Sequence, residues 1–347
     1  MYSFKNDYSE GAHPKILNAL IESNMEQEEG YGNDVHSQNA ISKIKKLIGN
    51  ENIDVHFISG GTQTNLIAIS AFLKPHEACI SANTGHIAIH ETGAIEYTGH
   101  KIITVDSNDG KVTVEKIQEV LEFHTNEHLV KPKLVYISNS TELGTIYTKE
   151  ELKVLSEFCK SNDLILYSDG ARLGSAMCVK DSNLTLSNMC NFTDAFSIGG
   201  TKNGALLGEA LIIKNENLKK DFRYLIKQKG GLLAKGRLLG IQFEELFEDN
   251  LYFKLATHAN EMANLLTKGL EEVGCEFLIN SPTNQIFPIL ENKQIEKLEK
   301  KFDFHVWEKI DNTRSAIRLV TSWATKKEAV LEFIHEIKQT IYSENLN

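Results

Sequence analysis

Three short stretches of this chain hold side chains that could do chemistry together. The first, Ser59-Gly60-Gly61-Thr62-Gln63-Thr64-Asn65, follows the apolar run Val55–Ile58 and opens a helical pattern that continues through Leu73. A glycine pair lets backbone approach a ligand closely, and the first amides of a helix are unsatisfied donors at its positive end. A phosphate fits there, with the Thr62 hydroxyl as a further donor. A plain tight turn with a threonine cap is the ordinary alternative. The second stretch, Tyr167-Ser168-Asp169-Gly170-Ala171-Arg172, ends the strand-like Leu164–Leu166. An acid at a strand's carboxyl end points into the crevice where α/β proteins bind ligands. Arg172 can pair with a carboxylate through two parallel bonds, although a structural ion pair would need the same residues. The third, Ser197-Ile198-Gly199-Gly200-Thr201-Lys202-Asn203-Gly204, follows the apolar Ala195–Ile198. A lysine among small residues past an apolar strand is sheltered from water, which lowers its pKa and leaves a nucleophilic amine. Surface lysines in glycine loops are common, so no one of these stretches is specific.

Their order is more specific than any part. A phosphate turn, a strand-end acid and a loop lysine are the parts of a pyridoxal-phosphate (PLP) site. In such a site the turn would anchor the phosphate, Asp169 could keep the pyridinium nitrogen protonated so that the ring accepts carbanion electrons, and Lys202 could form a Schiff base. His86 and His90 raise a different chemistry, since two histidines four apart on a helix share a face and can ligate zinc. Glu91 follows His90, so the order is not H-E-x-x-H, and no third ligand stands at a recognisable spacing. No metal is expected.

These residues need elements to position them. Strand candidates are Val55–Ser59, Ala78–Ala82, Lys101–Asp106, Lys133–Asn139, Leu164–Asp169, Ala195–Ile198 and Ala210–Lys214. Several are apolar on successive residues, as expected of parallel strands covered on both faces. Amphipathic helical patterns such as Thr113–Phe123 and Lys149–Ser161 alternate with them. The fold class expected is therefore α/β, with a mainly parallel sheet. Beyond about residue 250 the pattern changes to a long helix near Tyr252–Val273, then short strands around Asn284–Pro288, Phe304–Trp307 and Ser315–Thr321, and a last helix near Thr325–Tyr342. The expected organisation is an N-terminal segment (1–25), a large ligand-binding domain (26–250) and a small C-terminal α+β domain (251–347), with the ligand in the cleft between domains.

Composition narrows the function classes. A net charge of −10, with basic pairs confined to mixed-charge stretches, argues against a nucleic-acid partner. The five cysteines are widely spaced and include no C-x-x-C, which suits reduced thiols. Met1-Tyr2-Ser3-Phe4-Lys5-Asn6-Asp7 has no apolar signal-peptide core, and no apolar run approaches membrane-spanning length. A cytoplasmic protein without a membrane partner is expected.

The chain resembles the threonine aldolase and β-eliminating lyase family of fold-type I PLP enzymes, essentially end to end. The resemblance is carried by Tyr31-Gly32-Asn33-Asp34, Gly61-Thr62-Gln63-Thr64-Asn65, Gly85-His86, Asp169-Gly170-Ala171-Arg172, Thr201-Lys202 and Arg318-Leu319-Val320-Thr321. It implies that Lys202 is the Schiff-base lysine, next to Thr201, and that Asp169 contacts the ring nitrogen. Gly61 and Thr62 would hold the phosphate, His86 would stack on the ring, and Arg318 with Arg172 would receive the substrate's carboxylate. Asn6 falls where such enzymes carry a substrate-contacting serine, and Lys235 where they offer a basic residue to a neighbouring subunit's phosphate. Where many threonine aldolases have a histidine, this chain has Glu142, which could accept the substrate hydroxyl, act as a base, or pair with a cation. The activity implied is cleavage of L-threonine or L-allo-threonine to glycine and acetaldehyde by a homodimer or homotetramer. The alternatives are β-elimination on another amino acid and a non-catalytic PLP-fold binding protein.

Overall fold

The computed structural model describes residues 1–180 and 182–344. Seven strands form its central sheet: β1 (Asp54–Ile58), β2 (Glu77–Ala82), β3 (Ile102–Val105), β4 (Lys131–Ser138), β5 (Ile165–Asp169), β6 (Ala195–Gly199) and β7 (Glu209–Ile213). Their order across the sheet is β1-β7-β6-β5-β4-β2-β3. Neighbours from β6 to β3 are parallel, whereas β7 runs against both β6 and β1. The continuous apolar runs have a direct cause in this layering. Val135, Ile137, Leu166 and Ile212 enter the hydrophobic core on one face, while Leu134, Tyr136, Ile165 and Leu211 enter the core on the other. With both faces covered, an apolar residue is needed at every position.

Register gathers the strand ends that matter. Ser138 lies opposite Asp169, and β7, running backwards, puts its first residue, Glu209, opposite both Ile58 and Gly199. The ends of β5 and β6 pack without room for side chains. A Cβ at Gly170 would fall 1.9 Å from the Ser197 carbonyl, and one at Gly199 would fall 2.4 Å from the Ala171 carbonyl. That close approach brings the Asp169 and Lys202 loops side by side.

A second, antiparallel sheet lies in the C-terminal part. Arg314–Val320 is paired by Gln285–Ile286, Pro288–Glu291 and His305–Lys309. The single strand expected near Asn284–Pro288 is two strands, broken at Phe287-Pro288, where proline supplies no N–H to continue the ladder. This sheet has its own core of Leu266, Leu270, Ile317, Leu319, Phe333 and Ile337, which the N-terminal segment joins through Phe4. The helix Leu251–Glu271 ties the two cores together, with Tyr252 and Leu255 in one and Leu266 and Leu270 in the other. Among the described residues no helix is long and apolar enough to cross a membrane.

Candidate active site

The strand ends of the central sheet, the second sheet and Tyr8 enclose a cleft of about 700 Å³. At one corner stands the turn after β1. Gly60, not Thr62, caps the helix Gly61–Phe72, and no side chain caps it. The first intrahelical bond runs from Thr64 N to Gly60 O, so the amides of Gly61, Thr62 and Gln63 are those a helix leaves without intrahelical partners. Added Cβ atoms at Gly60 or Gly61 would meet nothing within 4 Å, which leaves the space above the turn open.

Asp169 closes the end of β5 and is 5% exposed. Its Oδ2 accepts from Tyr136 Oη and Asn65 Nδ2, each at 2.8 Å, and its Oδ1 accepts from the Ala171 amide at 2.8 Å. Burial, reinforced by the neighbouring Asp169, pushes the Tyr136 phenol well above its ordinary pKa, so it remains a donor. Asn65 Nδ2 also donates to Glu91 Oε1 at 2.8 Å, and the same oxygen lies 2.9 Å from His86 Nδ1. One buried chain therefore joins Asp169 to the His86 ring, and Tyr167 Oη donates to Asn65 Oδ1 at 2.9 Å to fix its middle member.

Lys202 lies on the loop after β6, with Nζ 6.0 Å from the Tyr8 ring centre. Burial and then the Arg172 charge depress its pKa, against the pull of Asp7, Asp169 and Glu209. Thr201 holds the loop by accepting from the Gly208 amide at 3.0 Å. Glu142 is 8% exposed. Its Oε1 accepts from the His86 amide at 2.9 Å and Ser138 Oγ at 2.7 Å, while Oε2 is buried without a partner. Burial raises its pKa.

The surroundings of three expected site residues bear on the roles they can take. The paired edge of Arg172 is not open to a substrate: Nε and Nη2 donate to Asp7 Oδ2 and Oδ1 at 2.7 and 3.1 Å. Asp7 is 1% exposed and also accepts from Asn284 Nδ2 at 2.9 Å, and although burial opposes its ionisation, Arg172 and Lys202 hold its pKa below the ordinary value. Asn6 is not among the residues lining the cleft, and its Oδ1 closes a local turn by accepting from Tyr8 N and Ser9 Oγ. Lys235 is exposed and does not line the cleft of its own chain. Arg318, by contrast, has no carboxylate partner among the described residues. Its Nη2 makes one bond of 3.5 Å to the Lys5 carbonyl, its Nε is buried without a partner, and it lies 4.9 Å from the Trp307 ring centre. Burial and then Arg172 lower its pKa to about 10, which keeps it charged at neutral pH.

Several cleft residues escaped the sequence reading. Tyr8 and Trp307 carry no motif, and Glu91 was visible only as a neighbour of His90. Glu209 had a signal: an acid heading an otherwise apolar strand. His90 stands exposed at the rim, its ring 5.5 Å from that of His86. Among the described residues no group of three or more His, Cys, Asp or Glu side chains is placed to hold a metal ion.

The residues fit PLP. The uncapped helix start suits its phosphate, Asp169 offers a buried acceptor, and Lys202 offers an amine of depressed pKa. The orphaned Glu142 Oε2, Glu209 Oε2 and Arg318 Nε all belong to residues lining the cleft, as expected where a polar ligand completes the bonding.

Comparison with known proteins points the same way. Residues 6–293 match the Beta-eliminating lyase family. A low specificity L-threonine aldolase from Pseudomonas sp. (strain NCIMB 10558) is 31% identical over 339 residues, 96% of each chain. The solved structure of a Leishmania major threonine aldolase is 51% identical, covers 98% of this chain and 100% of that one, and superposes with a TM-score of 0.97. An aromatic aminotransferase from Pyrococcus horikoshii OT3, at 16% identity and a TM-score of 0.72, covers 100% of this chain and 97% of its own and shares the fold alone.

Proposed function

The chain belongs to the Beta-eliminating lyase family, and from that premise we propose that it is a PLP-dependent carbon–carbon lyase cleaving L-threonine or L-allo-threonine to glycine and acetaldehyde. The observation that carries this reading is the meeting of Lys202, Asp169 and Arg318 in one cleft, with Arg318 Nε buried and unpartnered. A substrate carboxylate suits that edge.

Bound PLP supplies an electron sink for the bond being broken. Lys202 would hold the cofactor through its amine, the amides of Gly61 and Thr62 would receive its phosphate, and Asp169 would pair with its ring nitrogen. His86, braced by Glu91, would pack on the ring. Arg318 would take the carboxylate and so orient the Cα–Cβ bond for cleavage. Glu142 Oε2 accepts the proton of the β-hydroxyl as that bond breaks. Its other oxygen is already fixed by His86 N and Ser138 Oγ, which aims the free one.

The wider setting belongs to the same proposal. The five free cysteines support a reducing compartment, the cytoplasm. A homodimer or homotetramer in which Lys235 of a second copy completes the phosphate corner accounts for an exposed lysine outside its own cleft.

The deciding experiment pairs wild type with Lys202→Ala. Wild type with PLP should show a visible absorption band that borohydride removes, and should release acetaldehyde from L-allo-threonine. Lys202→Ala should lose both. Wild-type turnover in that variant would sink the assignment, and pyruvate with ammonia as products would move it to β-elimination.

A further inference from the structure

Glu209 belongs to the same cleft, yet the reaction just described gives it no part. It is 3% exposed, its Oε2 is buried without a partner, and among the described residues no ion pair includes it. As the first residue of β7 it sits in register with Ile58 and Gly199, the residues that lead into the phosphate turn and the lysine loop. Gly208, just before it, accepts from the Gly200 amide at 2.9 Å and donates to Thr201 Oγ1 at 3.0 Å. Leu211 and Ile213, two and four residues on, enter the core that contains Ile58 and Tyr167, so alternation puts the Glu209 side chain on the face from which the helix Gly61–Phe72 rises.

Its electrostatic surroundings are specific. Asp169 faces it from β5 and Lys202 from the lysine loop, with the Tyr167 and Tyr252 phenols close by. The turn after β1 and the whole helix Gly61–Phe72 contain no ionisable side chain. Asp169 has three donors around it, whereas among the described residues none reaches Glu209 Oε2. Two carboxylates on one dry floor do not both ionise readily, and the proton falls to the one with the unpartnered oxygen. Burial and then Asp169 push the Glu209 pKa up to about 8, with Lys202 pulling the other way.

We infer that Glu209 is a positioning residue for the cofactor: as a neutral acid it donates a hydrogen bond to the phosphate in the turn Ser59–Thr62, and its ionisation loosens the cofactor. This rests on the PLP reading of the cleft. A carboxylate beside a phosphate dianion repels it, whereas a carboxylic acid adds a donor to the uncapped helix start. The acid therefore serves as a proton-controlled latch on a corner that has no basic side chain of its own.

The test uses pyridoxine 5′-phosphate, which carries the phosphate and ring but has no aldehyde to join Lys202. Its dissociation constant is measured by titration calorimetry with cofactor-free wild type, Glu209→Gln and Glu209→Ala on either side of about pH 8. Wild type should weaken by up to about tenfold per pH unit above the midpoint. Glu209→Gln keeps a neutral donor, so it should bind as wild type does at low pH and stay flat. Glu209→Ala should be flat but weaker throughout, and its slope decides the matter if the Gln variant does not fold. A fall in either variant parallel to wild type overturns the inference alone. Absence of binding by wild type at neutral pH sinks the PLP reading, and this inference with it.

Discussion

On the sheet side of the cleft, Asp169 is held by three donors, and the chain through Asn65 and Glu91 extends that hold to the His86 ring. On the opposite side, Arg318 has one long bond to the Lys5 carbonyl and a buried Nε with no partner. The first arrangement is complete before any ligand arrives, so its geometry is fixed by the protein. The second is left incomplete at a cost, since a buried donor without an acceptor forfeits about 1–3 kcal/mol. A ligand carboxylate recovers that cost each time it binds. The sheet side suits a group that stays, and the wall suits one that comes and goes. Arg172 shows what the wall would be if finished: its carboxylate is Asp7, part of the protein itself.

If this contrast is right, damage to the wall should appear in KM and damage to the floor in kcat. The largest effect expected is from Arg318→Leu, which removes one partner of a buried charge pair. A loss of about 4 kcal/mol lowers kcat/KM for threonine about 10³-fold. Most of it should fall on KM, while the visible absorption of bound cofactor stays intact. Arg172 substitutes poorly, because Asp7 already neutralises its charge. Loss of the cofactor band in this variant would show that wall and floor are not separable.

Glu142→Gln sharpens the contrast from the other side. Glu142 is the floor residue with one oxygen fixed and one free, so the amide should keep its place while losing basicity. Steady-state rates should show kcat lower by about 10²-fold with little change in KM. The pH profile gives the sign. Burial raises the Glu142 pKa, so the basic form is present above that value and is lost as pH falls through it. Wild-type kcat should therefore decline on the acid side, and the Gln variant should lack that limb. An unchanged acid limb would pass the base role to another group, His86 first.

How much of this was legible in the sequence depends on the range of the interaction. Local cues place β1 to β7 within a few residues, because strands covered on both faces need continuous apolar runs, and Asp169 and Lys202 could be read as strand-end residues for the same reason. What the letters could not supply is register and partner choice across long separations. Arg172 looked free for a substrate because Asp7 is 165 positions away. Asn6 is placed by analogy, while its Oδ1 is engaged in its own turn. Glu209 reaches the active end only because β7 runs antiparallel in an otherwise parallel sheet, and no local pattern announces a strand's direction.

Trp307 is the subtlest case and gives the smallest expected effect. The pairing of His305–Lys309 with Arg314–Val320 slips between Val306 and Glu308, and Trp307 sits in that irregularity. A bulge re-aims a side chain, and here the indole faces the Arg318 guanidinium at 4.9 Å. A cation over an indole face is stabilised by about 1 kcal/mol, so Trp307 holds the wall's one free charge in place without completing its hydrogen bonds. Trp307→Leu keeps an apolar side chain but removes the π face. It should raise KM about fivefold and leave kcat and cofactor absorbance alone. If kcat falls instead, Arg318 is being held for the bond-breaking step rather than for capture, and the division between a fixed floor and an adaptable wall fails at the residue where it is most exposed to test.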